Sequence, residues 1–522
     1  MARNFMPSRV AITPRRSVAL FALLSIAMVI VSYIFVLVLA AACVYLPFLV
    51  LENMDHPQAQ ILILFLGGIA VAGAMLWSLV PRREKIEAPG MLLDPRVHPR
   101  LFAELENIAA SLNEPLPGEV YLIGQVNAFV ADRGGILGFG SHRILAVGLP
   151  ILSVLNISEF RGVMAHEFAH YYSGDTSIGP WVYKTQAAMI RTFQSIGSLQ
   201  GIRIGAVQLM YGLVSFVLKK YFVGFLRVVN FVSRKKEYRA DELACLIAGS
   251  PACVRGMRKI HGGSLAWMPY WNTEVLPALN RGCRPDIADG FVRFLAAPEI
   301  AAQVAKGVTK EIAEGQMSPY DTHPPLRDRI AAIEELSIAA TEEKLEAALS
   351  LLGDADKTEL QFLKFLNPKL EEESLRHVGW DAVGTAVTIP AWKSAVSGYP
   401  SLFQGLTAET LPEAIARLPE IGKQIRDPKG MLLTPEQRTQ RAGGLLASAL
   451  ALTMLDKGWE LESQPGQFYF HRGGERIDVF ALIDELIAGK LSGEVWAARC
   501  DELGIRGASL YCGDSSAASI SN

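Results

Sequence analysis

The stretch HEFAH places His166, Glu167 and His170 at a spacing suited to metal chemistry. In an α-helix, positions i and i+4 share a face about one turn apart, so His166 and His170 can aim two imidazoles at one ion. Glu167 projects beside them, where its carboxylate can take a proton from a water made acidic by that ion. This is the mechanical content of HExxH, and zinc is its usual metal. With 9 histidines in 522 residues, chance supplies the pattern on the order of once per hundred such chains. The bland alternative is a helix whose two histidines only hydrogen-bond to their neighbours.

A hydrolytic zinc site takes a third protein ligand and keeps one position open for water. The candidate lies downstream in SRKKEYRADELACL, where Glu237 and Asp241 again sit four apart. Glu237 can ligate, and Asp241 can accept the outer N–H of a ligating histidine and so fix its tautomer. The same stretch also reads as a solvated charged helix, with Arg234 and Lys235 beside Glu237.

The elements that must position these residues follow two long apolar runs. Ser17 to Leu51 carries no charged residue, and Ile61 to Val80 is a second uncharged run. Each reaches the roughly 20 residues that span a bilayer, and both exceed a signal-peptide core. Half of the chain is hydrophobic and its mean hydropathy is +0.25, high for a purely soluble protein. Arg3, Arg9, Arg15 and Arg16 precede the first run, and Arg82, Arg83 and Lys85 follow the second. The connecting ENMDHPQAQ has no Lys or Arg, so the positive-inside bias puts both ends, and everything after residue 81, in the cytoplasm. Six scattered cysteines with no CxxC pair agree with a reducing compartment. A net charge of -2 gives no electrostatic reason to expect nucleic acid.

Beyond the spans, DPRVHPRLFAELENIAASLN reads as a helix with Leu101, Leu105 and Ile108 on one stripe. GEVYLIG and HRILAVG read as strands separated by ADRGGILGFGS, a glycine-rich hairpin turn without phosphate-loop spacing. The metal-bearing helix begins near Ser158 as N-cap, with Glu159 in its first turn. Residues 204–232 are apolar but interrupted by Lys219 and Lys220, and read as a helical hairpin, buried or leaning on the membrane. After about residue 335, TEEKLEAALSLL and SLRHVGWDAVGTAV read as a charged helical linker. A separate unit follows, with the helix GGLLASALALTML, two strands about Gly473-Gly474 and the helix ALIDELIAGKL. His377 and His471 are isolated there.

HEFAHYYSGD, then SRKKEYRAD, then THPPLRDRI resemble, in that order, the membrane-bound zinc peptidases of the HtpX and CAAX prenyl protease type. VNAFVADRGG and the strand before the metal helix extend the resemblance over roughly residues 95 to 335, with the two spans in general layout. It implies a mainly α, α+β zincin-like peptidase domain with a small β-sheet, to which the residues read above add two N-terminal transmembrane helices and a C-terminal α+β accessory domain. The expected divisions are 1–90 for the anchor (spans about 18–50 and 60–80), 91–335 for the peptidase and 336–522 for the accessory unit. The resemblance makes His166, His170 and Glu237 ligands of one zinc ion per chain, Glu167 the general base and Asp241 the support of a ligand. It also makes His323 a donor to the oxyanion of the tetrahedral intermediate, although His323 before Pro324-Pro325 reads equally as a helix cap. Arg329 is expected to tie this segment to the zinc domain, and RILAVG to be the edge on which an extended substrate pairs. The interval 204–232 and the C-terminal unit depart from the minimal peptidase.

The expected protein is therefore a multi-pass, membrane-anchored zinc endopeptidase with its catalytic domain facing the cytoplasm. Its partners are the lipid bilayer and protein or peptide substrates, membrane proteins under quality control among them. A processing protease that trims a defined terminus is the alternative within enzymes. A zinc-binding membrane adaptor without turnover is the alternative outside them.

Overall fold

The structure is a computed structural model of the full chain. It describes residues 16–53, 59–79, 88–134, 142–170, 185, 187–192, 194, 205–316, 321, 323–340, 342–370, 375–427 and 432–512. The chain is mostly helical, with small sheets, and forms two compact units. One comprises residues 1–264 and 305–358; the other comprises 265–304 and 359–522. These divisions differ from the boundaries expected at 90/91 and 335/336.

The first unit opens with α1 (Arg16–Glu52) and α2 (Ala59–Leu79), both long and apolar enough to cross a membrane. They pack through Val36, Ala40 and Cys43 against Val71, Ala72 and Met75. Gly68 permits that approach, because a Cβ there would overlap the Cys43 carbonyl. The orienting basic residues, apart from Arg16, lie outside the described residues.

Helix α3 (Pro99–Ser111) buries Leu101, Leu105 and Ile108, the stripe read from the sequence. A four-stranded sheet follows, in the order β1 (Met91–Leu92), β2 (Glu119–Ile123), β4 (His142–Gly148), β3 (Ala128–Arg133). β2 and β4 run parallel, with Leu122 opposite Val147, whereas β3 lies antiparallel to β4 with Ala131 opposite Ile144. Two sequence expectations are corrected here. The glycine-rich turn joins β3 to β4, not β2 to β4, because AFVADR is itself a strand. RILAVG is an interior strand, and β3 is outermost in the described sheet. Residues 135–141 of the turn lie outside the described residues.

After α4 (Leu149–Val154) come α5 (Ile157–Ala169), α6 (Gly205–Ala248), α7 (Ser250–Tyr270) and α8 (Leu326–Leu336). The hairpin expected over 204–232 is instead the first part of one 44-residue helix. No proline interrupts it, and Lys219 and Lys220 are exposed, so their charges do not break it. The expected linker helix in TEEKLEAALSLL is also corrected. Its backbone bonds into this unit, Ile157 donating to Glu346 and Ala348 to Leu155, and a short 3₁₀ turn (Ala348–Leu352) ends it.

The second unit has a core around α9 (Pro435–Asp456), which carries the expected apolar helix and is buried almost continuously from Ala442 to Met454. Phe403, Phe470, Trp496 and Leu503 pack in the same cluster. A three-stranded meander, β5 (Glu460–Gln464), β6 (Gln467–Arg472) and β7 (Glu475–Ile477), turns at Gly473-Gly474, both with positive φ, as a tight β-hairpin requires. α10 (Val479–Ile487) closes the pattern, capped by the Asp478 carboxylate on two backbone amides.

Candidate metal centre

Helix α5 starts two residues before the sequence suggested. Asn156 Oδ1 accepts from the Glu159 amide, and the Asn156 amide donates to Glu159 Oε2. This reciprocal pair makes Asn156 the N-cap in place of Ser158, whose Oγ accepts from the Lys344 amide. Glu159 is itself buried and also takes Arg255 Nε at 3.2 Å and Lys259 Nζ at 2.7 Å, so the helix start is pinned from α7. Phe160, Met164, Ala165 and Phe168 are buried and hold the helix in place. His166 and Glu167 line an open cleft.

Helix α6 packs along α5 and brings Glu237 and Asp241 to that cleft. His166 Nε2 and His170 Nε2 are 3.2 Å apart, and lie 3.5 and 3.6 Å from the two Glu237 carboxylate oxygens. These three residues can present ligand atoms all within 4.8 Å of one another. Glu237 Oε2 is buried and accepts no well-aligned hydrogen bond, although His323 Nδ1 comes within 2.9 Å. Two imidazole nitrogens and a carboxylate oxygen short of donors form the set that suits a tetrahedral divalent ion. On these residues, zinc fits.

The surrounding charges prepare the ligands. His166 Nδ1 is 2.9 Å from Asp241 Oδ1, so it donates there and leaves Nε2 for an ion. Arg329 holds Asp241 with a fork, Nε to Oδ2 at 2.9 Å and Nη2 to Oδ1 at 2.6 Å. Burial opposes ionisation of Asp241, but the Arg329 and His166 contacts hold its carboxyl below the usual range. Burial likewise opposes the Glu237 carboxylate, yet His166 and His323 keep it well below that range. Burial would lower His166, but Asp241 and Glu237 raise it to about 9. A cation at this centre opposes that proton, as ligation requires neutral imidazole. Burial and the neighbouring His166 hold His170 down to about 3, so it stands ready as a neutral donor. Burial pushes the Glu167 carboxyl up to about 7.

The cleft measures about 630 Å³ and is also lined by Asn127, Ala128, His323 and Arg329. All seven residues singled out from the sequence for this site therefore meet in one place. The sequence reading missed the wall supplied by α7, where Cys253, Met257 and Ile260 face the cleft and His261 pairs with Glu311 at 2.9 Å. The apolar spacing of those three positions was the available signal. His377 and His471 take no part; they pair with Asp286 and Glu460.

Residues 95–337 match the profile of Peptidase family M48. This segment is an M48 peptidase domain. Curated relatives are named Protease HtpX homolog. That of Acidiphilium cryptum is 27% identical over 246 residues, covering 46% of this chain and 74% of that protein. That of Burkholderia thailandensis is 28% identical over 250 residues, covering 47% and 76%, and that of Ralstonia nicotianae is 30% identical over 186 residues, covering 34% and 62%. No solved structure matches the chain. Over this segment the protein is similar to HtpX metallopeptidases, it carries two helices apolar enough to cross a membrane, and the M48 domain contains every residue of the centre described above.

Proposed function

We propose that His166, His170 and Glu237 hold one zinc ion and that Glu167 is the general base of an endopeptidase with a zincin-like site. The convergence of both His Nε2 atoms on the under-donated Glu237 carboxylate carries this reading. When bound, zinc supplies Lewis acidity for the scissile carbonyl and lowers the pKa of water. Glu167, which lines the cleft beside His166, accepts the attacking water's proton and returns it to the leaving amine. Asp241 and Arg329 act earlier, by fixing the His166 tautomer. His323, with its side chain 65% exposed at the cleft, is placed to donate to the developing oxyanion once it leaves Glu237. An extended substrate pairs along the outer edge of β3, beginning at Ala128, instead of along RILAVG.

The domain faces the cytoplasm in this reading, supported by the arginines and lysine that flank the spans. A site tethered to the bilayer by two helices points to membrane proteins as substrates, damaged ones included. Functionally, the anchor is 1–90, the peptidase 91–335, and 336–522 an accessory unit.

Metal analysis and peptide cleavage on wild type, Glu167→Gln and Glu237→Ala test the assignment. Glu167→Gln is expected to keep zinc and lose activity by about 10³-fold or more, whereas Glu237→Ala loses both. Full turnover by Glu167→Gln would overturn the mechanism. Zinc-loaded wild type that cleaves nothing would favour a binding adaptor.

A further inference from the structure

The depth of this protein in the bilayer can be read from side-chain levels. α1 and α2 are antiparallel, and the closest approach puts Gly68 beside Cys43. Counting both ways from that pair sets Leu79 level with Ser32 and Ala59 level with Glu52. Ser32 to Glu52, the part of α1's longer apolar run Ile26–Glu52 that is level with α2, covers about 30 Å of helix, which equals the hydrocarbon thickness of a typical bilayer. α2 has nearly the same length. One membrane surface therefore lies near Ser32 and Leu79, with Tyr33 and Trp77 at the level where aromatic residues mark an interface.

Helix α6 joins this layer. Val214 and Leu218 pack with Val36, Ala40 and Met75, and Tyr221 stacks on Phe35 and hydrogen-bonds to Ser32 at 2.9 Å. Phe225 and Val229 then meet Met28, beyond that surface. Tyr221 is thus the interface level of α6. Below it, Leu213 and Phe216 are exposed apolar residues that face the acyl chains. At and above it, Lys219, Lys220, Arg227 and Lys235 are exposed cations at phosphate level and outward. Lys220 lies over the Phe216 ring and Lys235 over Phe231.

The same helix carries the metal ligand Glu237. It is sixteen residues beyond Tyr221 without a break, about 24 Å along the axis. A tilt of about 20° takes off only about 1.5 Å. We infer that α6 is a spacer that holds the hydrolytic centre about 24 Å from the bilayer surface and thereby selects substrates by reach. An extended chain covers about 3.3 Å per residue, so a bond must lie at least about seven residues from a membrane anchor to enter the cleft. Long loops and tails of membrane proteins satisfy this; short turns between spans do not. The inference rests on the peptidase reading above.

The test uses the full chain, zinc-loaded, in phosphatidylcholine–phosphatidylglycerol vesicles. Reporter peptides carry a transmembrane anchor, a flexible linker stepped from about 2 to about 16 residues to straddle the expected reach, and one cleavable sequence. The same cleavable sequence is also offered as a soluble peptide. Cleavage is expected to fall by tenfold or more when the bond lies within about seven residues of the anchor, while the soluble peptide is cut. Equal cleavage at every linker length overturns the spacer. Failure to cut the soluble peptide overturns the peptidase reading instead. A fluorophore on Leu213→Cys should be quenched by acyl-brominated lipid and one on Lys235→Cys should not. Equal quenching at both positions would also overturn the proposed depth.

Discussion

Arg329 and Asp241 meet through both guanidinium donors, and the carboxylate is almost fully buried. Arg329→Met leaves that charge without its partner, so a loss of about 3–5 kcal/mol in stability is expected, read by thermal unfolding. Arg329→Lys keeps the charge but not the fork and should fall between. Because Asp241 orients His166, Asp241→Ala should weaken zinc binding by roughly 10–100-fold in metal titration, with Glu167 still in place. Asn156→Ala removes one half of the capping pair and should cost about 1 kcal/mol, since Glu159 retains Arg255 and Lys259. These residues differ in how readily the sequence showed them. His166 with His170, and Glu237 with Asp241, are each four apart on a helix, so each pair was visible locally. The role of Arg329 required its distance to Asp241, and Asn156 displaced Ser158 because only the folded segment gives Ser158 a different partner at Lys344.

At the scale of elements, the glycine in the α1–α2 hairpin gives a direct comparison. A side chain at Gly68 strikes the Cys43 backbone, whereas one at Gly73 meets nothing within 4 Å. Gly68→Leu should separate the two helices and lower the yield of membrane-inserted protein, while Gly73→Leu should insert normally in a protease-protection assay. The lengths of α1 and α2 followed from run length and the buried stripe of α3 from hydrophobic period, whereas α3 proved shorter and α9 longer than the stretches read from the sequence. The strand β3 did not. AFVADR carries an acid and a base and adjoins glycines, so its alternation is weak; pairing with β4 makes it a strand. The continuity of α6 was hidden for a similar reason. Two lysines break the apolar run but not the backbone, since exposed lysines extend outward from a helix that packs by its other face.

The second unit carries a pH dependence of its own. Burial pushes Glu274 up to about 7, with backbone Gly466 and Thr273 opposing weakly. Glu359 is likewise raised to about 7 by burial, despite two backbone donors at Ile287 and Ala288. For a carboxyl raised above its unfolded value near 4.5, stability is greatest below that value and is lost as pH rises toward about 7. Thermal unfolding of the full chain should therefore show the transition that includes this unit falling over that window. Glu274→Gln should remove a drop of roughly 1–3 kcal/mol from the curve. An unchanged pH profile would show that Glu274 is ionised in the fold.

Taken as a whole, the sequence by itself determined the two apolar spans, the pair of helices that carry the candidate ligands and the class of chemistry. These depend on residue type at fixed local intervals, which helix geometry converts directly into faces and lengths. Only the tertiary structure decided that β3 forms the sheet edge, that residues 342–348 bond beside the metal helix, and that residues 265–304 join the C-terminal unit. It also decided that the helix carrying Glu237 begins at the level of the membrane spans. Such features are set by contacts between residues far apart in the chain. Their free energy comes from burial against a distant partner, and no local spacing encodes which partner that is.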